Sequence, residues 1–121
     1  MNNREKGRRG EELAEKYLQE NNYKVVEKNY YTRWGEIDII ARDRKTEELV
    51  FVEVKMRNSV ACGLPEESVT EGKLEKLEMT AEVYRQEKAE DGRYRFDCLA
   101  IEGRGNNKDF RITHYKNIGL S

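Results

Sequence analysis

Residues 35–57 constrain the fold more than any other stretch of this chain. They read Gly35-Glu36-Ile37-Asp38-Ile39-Ile40-Ala41, then a polar segment Asp43–Glu48, then Leu49-Val50-Phe51-Val52-Glu53-Val54-Lys55-Met56-Arg57. In both arms apolar, mostly β-branched residues alternate with charged ones at period two, the pattern of half-buried strands. Val50, Val52, Val54 and Met56 share one face of the second arm, and Phe51, Glu53, Lys55 and Arg57 share the other. In the first arm the same rule sets Ile37, Ile39 and Ala41 against Asp38 and Ile40. A hairpin follows, and its register is constrained, because a one-residue slip would turn one set of aliphatics to the wrong side. Pairing Ile39 with Val52 and Ile37 with Val54 centres the turn on Lys45 and Thr46. A slip of two residues satisfies the pattern as well.

The first register sets Asp38 directly across from Glu53, with Cβ atoms about 4.5–5.5 Å apart. The second leaves the two carboxylates diagonal but close. Like charges so placed destabilise a sheet, and a divalent cation between them would remove the repulsion. Hard carboxylate oxygens, completed by waters and a substrate phosphate, suit Mg²⁺. Lys55, two residues beyond Glu53 on the same face, can orient a water and stabilise charge building on a phosphate. The pattern therefore suggests metal-assisted hydrolysis of a phosphodiester. The competing reading of Glu53-Val54-Lys55 is a solvated strand face with a weak salt bridge.

The rest of the chain frames this hairpin. Residues 1–10 carry Arg4, Lys6, Arg8 and Arg9, either a frayed terminus or an arm that contacts phosphates. Gly10 to Asn21 predicts a helix with an apolar stripe of Leu13, Ala14, Tyr17 and Leu18. Glu11 and Glu12 suit the dipole of its first turns, and Asn21-Asn22 suits a left-handed stop. A short strand, 23–29, follows. Tyr30, Tyr31, Arg33 and Trp34 then interleave aromatic and basic groups before Gly35. Such a set can stack on bases and hold phosphates or pack over a sheet edge. Glu36 shares the face of Asp38, either as an outer partner of the metal site or as a surface carboxylate. Beyond the hairpin, Asn58 to Glu67 is a loop with Gly63 and Pro65. Ser68 or Thr70 can cap a second helix, whose stripe is Leu74, Leu77, Ala81 and Tyr84. Lys73 at its start can bind phosphate together with the helix N-terminus, or it is one more charge on a solvated face. Arg93–Ile101 and Phe110–Tyr115 are the last strands. Asp97, unusual within a strand, has Arg95 or Lys55 as partner, and His114 reads as a structural or surface residue.

Gly35-Glu36-Ile37-Asp38 followed by Phe51-Val52-Glu53-Val54-Lys55 resembles the Asp…(Asp/Glu)-x-Lys motif of restriction-endonuclease-like nucleases. More narrowly, the chain is similar to the small bacterial YraN-type family of predicted nucleases related to Holliday-junction resolvases. Gly7-Arg8-Arg9-Gly10-Glu11 with Ala14, Gly63, Val69-Thr70 with Lys73, and Arg95-Phe96-Asp97 extend the match over nearly all 121 residues. The resemblance implies a single domain, 1–121, of α/β class: a restriction-endonuclease-like mixed sheet flanked by helices. It implies a Mg²⁺- or Mn²⁺-dependent nuclease on DNA, branched DNA by analogy. Asp38 and Glu53 would bind metal with the Val54 carbonyl, Glu11 would complete the shell, and Lys55 would position the attacking water. Arg33, Trp34, Lys73, Arg8 and Arg9 would contact nucleic acid. A homodimer follows only if the substrate is a junction, since paired cuts need two sites.

Composition limits the alternatives. Charged residues are 39% of the chain and hydrophobic residues 36%, a thin core under a charged surface. No apolar run approaches the roughly 18 residues that span a membrane, and the charged N-terminus lacks a signal-peptide core. The expected compartment is the cytoplasm, with Cys62 and Cys98 as reduced thiols and Cys98 buried in a strand. One histidine and two unpatterned cysteines exclude Cys/His zinc sites. The 23 basic residues are offset by 24 acidic ones, a net charge of −1, whereas nucleic-acid binders usually carry a basic balance or stripe. A non-catalytic nucleic-acid or protein-binding module on the same scaffold is therefore the second expectation.

Overall fold

The hairpin forms in the first register. In the computed structural model, which describes residues 3–57, 71–103 and 110–118, Ile39 pairs with Val52, Ile40 with Phe51, Ala41 with Val50 and Arg42 with Leu49. The elements run α1 (Asn3–Glu20), β1 (Tyr23–Thr32), β2 (Gly35–Asp43), β3 (Leu49–Arg57), α2 (Glu71–Glu87), β4 (Tyr94–Gly103) and β5 (Phe110–Tyr115). The sheet order is β1-β2-β3-β4-β5. Only β3 and β4 run parallel, and a parallel pair needs the long crossover that α2 supplies. This is an α/β mixed sheet with two helices, consistent with the restriction-endonuclease-like fold expected from the motifs.

Two expectations need correction. First, α1 begins at Asn3 rather than Gly10, because Arg, Glu and Lys are good helix formers and the one glycine among them, Gly7, costs only about 1 kcal/mol. Second, β1 continues to Thr32, so the aromatic stretch is strand rather than connector. Both sheet faces carry a helix, as expected of a mixed sheet flanked by helices. Leu13, Ala14, Tyr17 and Leu18 of α1 pack with Ile39, Ala41, Val50, Val52, Leu99 and Ile101. Leu74, Leu77, Ala81 and Tyr84 of α2 pack on the opposite face with Ile40, Phe51, Phe96 and Cys98. The reason is in β3 and β4 themselves: they are apolar on both sides near the hairpin turn, as strands buried on two faces must be.

The strict alternation of β2 also fails at one step. Ile37 joins the α2-side core, while Ile39 and Ala41 join the α1-side core. In β1, Lys28 reaches Glu15 on α1 at 2.9 Å, yet Tyr30 lies in the α2-side core. Both strands therefore change faces across the position where Asn29 stands opposite Asp38, which the ladder skips. Asn29 has φ of +54°, a left-handed conformation that asparagine tolerates and that rotates the chain out of the pleat.

The far end of the hairpin is closed by charge. Arg95, buried at the start of β4, pairs with Asp43 at 3.0 Å, Glu48 at 2.8 Å and Asp97 at 3.0 Å, and donates to the Tyr23 hydroxyl at 2.9 Å. Asp97 thus takes Arg95 as its partner, and its other contacts are His114 Nε2 at 2.7 Å and the Asn117 amide at 2.9 Å. A carboxylate only accepts, so Nε2 of His114 carries the proton, and His114 is structural. Asn22, at φ +69°, ends α1 as its residue type suggested. The loop with Cys62, Gly63 and Pro65, and the caps Ser68 and Thr70, lie outside the described residues.

Candidate active site

The face change at Asn29 turns Asp38 toward β3. Its Oδ2 accepts the Val54 amide at 2.8 Å, standing where a backbone carbonyl would continue the ladder. The described pairing of β2 with β3 stops just before it, at Ile39 and Val52. The strands part at Asp38 and Glu53, and the carboxylates gather at that opening.

Helix α1 supplies Glu11 because it comes close to β3. A Cβ on Gly10 would stand 3.1 Å from Met56 Sδ and 3.7 Å from Val54 Cγ1, so only glycine lets the helix sit at this distance without displacing Met56. Ala14, one turn on, is fully buried. Carboxylate oxygens of Glu11, Glu36 and Asp38 lie within 4.8 Å of one another. Among the described residues none of these three forms a salt bridge. Glu36 instead faces Tyr31, its cross-strand neighbour, whose hydroxyl pKa is raised by the Glu36 carboxylate.

Glu53 belongs to a second, cationic half of the site. Its Oε1 lies 2.7 Å from Lys73 Nζ in the first turn of α2 and 3.4 Å from Lys55 Nζ. Burial and the adjacent Lys73 ammonium lower the pKa of Lys55, with Glu53 opposing them. For Lys73 burial acts downward, but the Glu53 contact prevails and the pKa is raised. Cys98, paired with Glu53 across β3 and β4, is buried, and its thiol is pushed up to about 11 by burial and by Glu53. It is no nucleophile at neutral pH.

Asp38 reports the imbalance between the halves. Burial raises its pKa most, the Glu53 carboxylate adds to this, the Val54 amide opposes it, and Glu11 and Glu36 raise it further, to about 7. Such a carboxyl exchanges its proton near neutrality or takes a cation instead. Three to four hard oxygen donors with too little positive charge fit Mg²⁺ or Mn²⁺ and fit no soft metal.

The remaining predicted contacts lie around this opening unevenly. Arg33 is exposed, with its guanidinium 4.5 Å over the Trp34 ring, at the tip where Gly35 adopts φ +149°. Thr32 fixes that tip: its hydroxyl accepts the Trp34 amide at 3.0 Å and lies 3.2 Å from the Thr80 hydroxyl of α2. Arg8 is exposed. Arg9 instead lies 4.9 Å over the Phe110 ring of β5.

The sequence matches the family described as Uncharacterised protein family UPF0102 over residues 10–101. The chain belongs to the UPF0102 family. A UPF0102 protein of Carboxydothermus hydrogenoformans is 42% identical over 119 residues, covering 98% of each chain. One from Caldicellulosiruptor saccharolyticus is 39% identical, covering 97% of this chain and 98% of its own. The matched span takes in Glu11, Asp38, Glu53, Lys55 and Lys73, and stops before β5. Glu36 stands in the Glu11–Asp38 group, on the face of Asp38 where period two placed it. One feature of this UPF0102 site was not legible: Lys73 sits on Glu53 itself, a contact between segments that no local pattern reports. Neither described helix is long and apolar enough to cross a membrane.

Proposed function

We propose that this protein is a cytoplasmic Mg²⁺- or Mn²⁺-dependent deoxyribonuclease. The observation that carries the reading is Asp38, held by the Val54 amide where β2 and β3 part, grouped with Glu11 and Glu36 and raised toward neutrality by its neighbours. Asp38, Glu53 and Glu11 would hold the cation, joined by Glu36 and the Val54 carbonyl. Once bound, the metal supplies a Lewis acid and a water of lowered pKa. The chain's own groups do the rest. Lys55, less basic than an exposed lysine, donates to a water or to a non-bridging phosphate oxygen. Arg33 and Trp34, at the exposed tip of the β1–β2 turn, pair with phosphate and stack on a base. A homodimer is expected only on junction-like DNA.

The test is cleavage of linear, nicked and branched DNA with Mg²⁺ or Mn²⁺, in wild type and Asp38→Asn. A loss on the order of 10³-fold or more, with the fold intact, is expected of the variant. Equal cleavage by both rejects the assignment. A second reading, a non-catalytic nucleic-acid or protein-binding module on the same scaffold, draws support from the two lysines engaged on Glu53, and the net charge of −1 favours its protein-binding form. For nucleic acid it predicts salt-dependent DNA binding unaffected by metal, and no cleavage by wild type.

A further inference from the structure

The two halves of the site are unequally neutralised. Three carboxylates, Glu11, Glu36 and Asp38, have no salt bridge among the described residues, while the single carboxylate of Glu53 has two lysines, at 2.7 and 3.4 Å. Lys55 shares its strand with Glu53, whereas Lys73 comes from a different element. It stands in the first turn of α2, where the helix dipole disfavours a cation and where unsatisfied N–H groups favour a phosphate. The ion pair with Glu53 holds it there.

We propose that Lys73 is the resident counter-ion of Glu53, yielding that carboxylate to an incoming divalent cation and moving to the substrate phosphate. The inference rests on the nuclease reading and adds a positioning role to it. In the metal-free protein the Lys73 ammonium keeps Glu53 aimed at the opening and limits repulsion with Asp38. When a dication takes Glu53, Lys73 is released beside the α2 N-terminus. Binding of metal and binding of phosphate are then coupled through one side chain. Lys55, on the same strand as Glu53, stays at the site and keeps its role toward water.

The test follows the side chain itself. The protein is labelled with ¹⁵N-lysine, its Lys73 ammonium resonance is assigned by loss in Lys73→Arg, and Mg²⁺ is added without DNA while calorimetry follows the same titration. The expected result is that the Lys73 signal, slowed in exchange by its pairing with Glu53, shifts and broadens with the calorimetric midpoint, while Lys55 remains ordered. Lys73→Met, folded by circular dichroism, should bind Mg²⁺ roughly tenfold more tightly, since a competing cation has gone. It should also lose roughly tenfold in metal-dependent affinity for an uncleavable phosphorothioate duplex. Metal binding that leaves the Lys73 signal unmoved overturns this inference alone. No Mg²⁺ binding by calorimetry, with or without the duplex, overturns the nuclease reading and this inference with it.

Discussion

Two clusters of acidic groups sit on this sheet, one at the closed end of the β2–β3 hairpin and one where its strands part. Burial acts on both in the same sense, and the outcomes are opposite. The Asp97 side chain is fully buried, and burial raises its pKa, yet His114, Arg95 and the Asn117 amide outweigh this and hold it below the ordinary value. Asp43 follows suit: burial is overcome by the amides of Lys45 and Thr46 and by Arg95. Asp38 receives one amide, faces Glu53, Glu11 and Glu36, and ends near 7. Burial alone therefore does not decide the charge state. The number of donors within reach does. A cluster supplied with its own cation is finished structure, and the cluster without one is where the proposed cation would bind.

The largest effect that would break this contrast is at Arg95. Arg95→Met removes the shared partner of Asp43, Glu48 and Asp97 and leaves buried charge uncompensated, which should destabilise by about 3–5 kcal/mol in urea unfolding. A loss under about 1 kcal/mol would mean the closed cluster is not held by its arginine. Asp38→Asn should do the reverse. The side-chain oxygen still accepts the Val54 amide and the repulsion is gone, so the metal-free protein should gain roughly 1–3 kcal/mol at pH 8. A destabilised variant would show that Asp38 is already neutralised.

The pH dependence carries the same contrast, with opposite signs. Asp43 and Asp97 have lowered folded-state values, so their contribution is present above about pH 4 and is lost as pH falls through those values. Asp38 has a raised value, so its contribution is present below about pH 4 and is lost as pH climbs toward and through about 7. Urea titrations of wild type from pH 3 to 9 should therefore show stability rising at the acid end and sagging between about 5 and 8. Asp38→Asn should abolish the sag and leave the acid limb. A sag that persists in the variant would assign it elsewhere.

Period-two alternation found the hairpin and narrowed its register to two, of which the structure takes the first, because both arms bury apolar side chains that one wrong step would expose. It found the stripes of both helices for the same reason. It failed at Ile37, where a left-handed Asn29 on the neighbouring strand rotates both chains. Glu36 beside Asp38, by contrast, follows from plain two-residue spacing on β2 and was legible. Resemblance carried Glu11, whose role depends on how near α1 approaches β3, a tertiary distance. The Lys73–Glu53 contact joins α2 to β3 across a segment outside the described residues, and spacing along the chain gives no measure of it.

The smallest expected effect on stability tests that approach of α1. Gly10→Ala adds a Cβ 3.1 Å from Met56 Sδ and 3.6 Å from Met56 Cβ. Alanine gains about 1 kcal/mol in helix propensity, while crowding a flexible methionine costs about as much, so the net change should stay within about 1 kcal/mol. Gly72, with nothing within 4 Å of its would-be Cβ, gives the control: Gly72→Ala should stabilise by about 0.5–1 kcal/mol. Metal affinity should separate the two. If Glu11 is a ligand, a shift of a few tenths of an ångström in α1 moves it against Asp38, and Mg²⁺ binding by Gly10→Ala should weaken several-fold at unchanged stability. Gly72→Ala should bind as wild type does. Equal affinity in all three would remove Glu11 from the site and leave Gly10 as a packing residue, with Asp38, Glu36 and Glu53 alone to account for the cation.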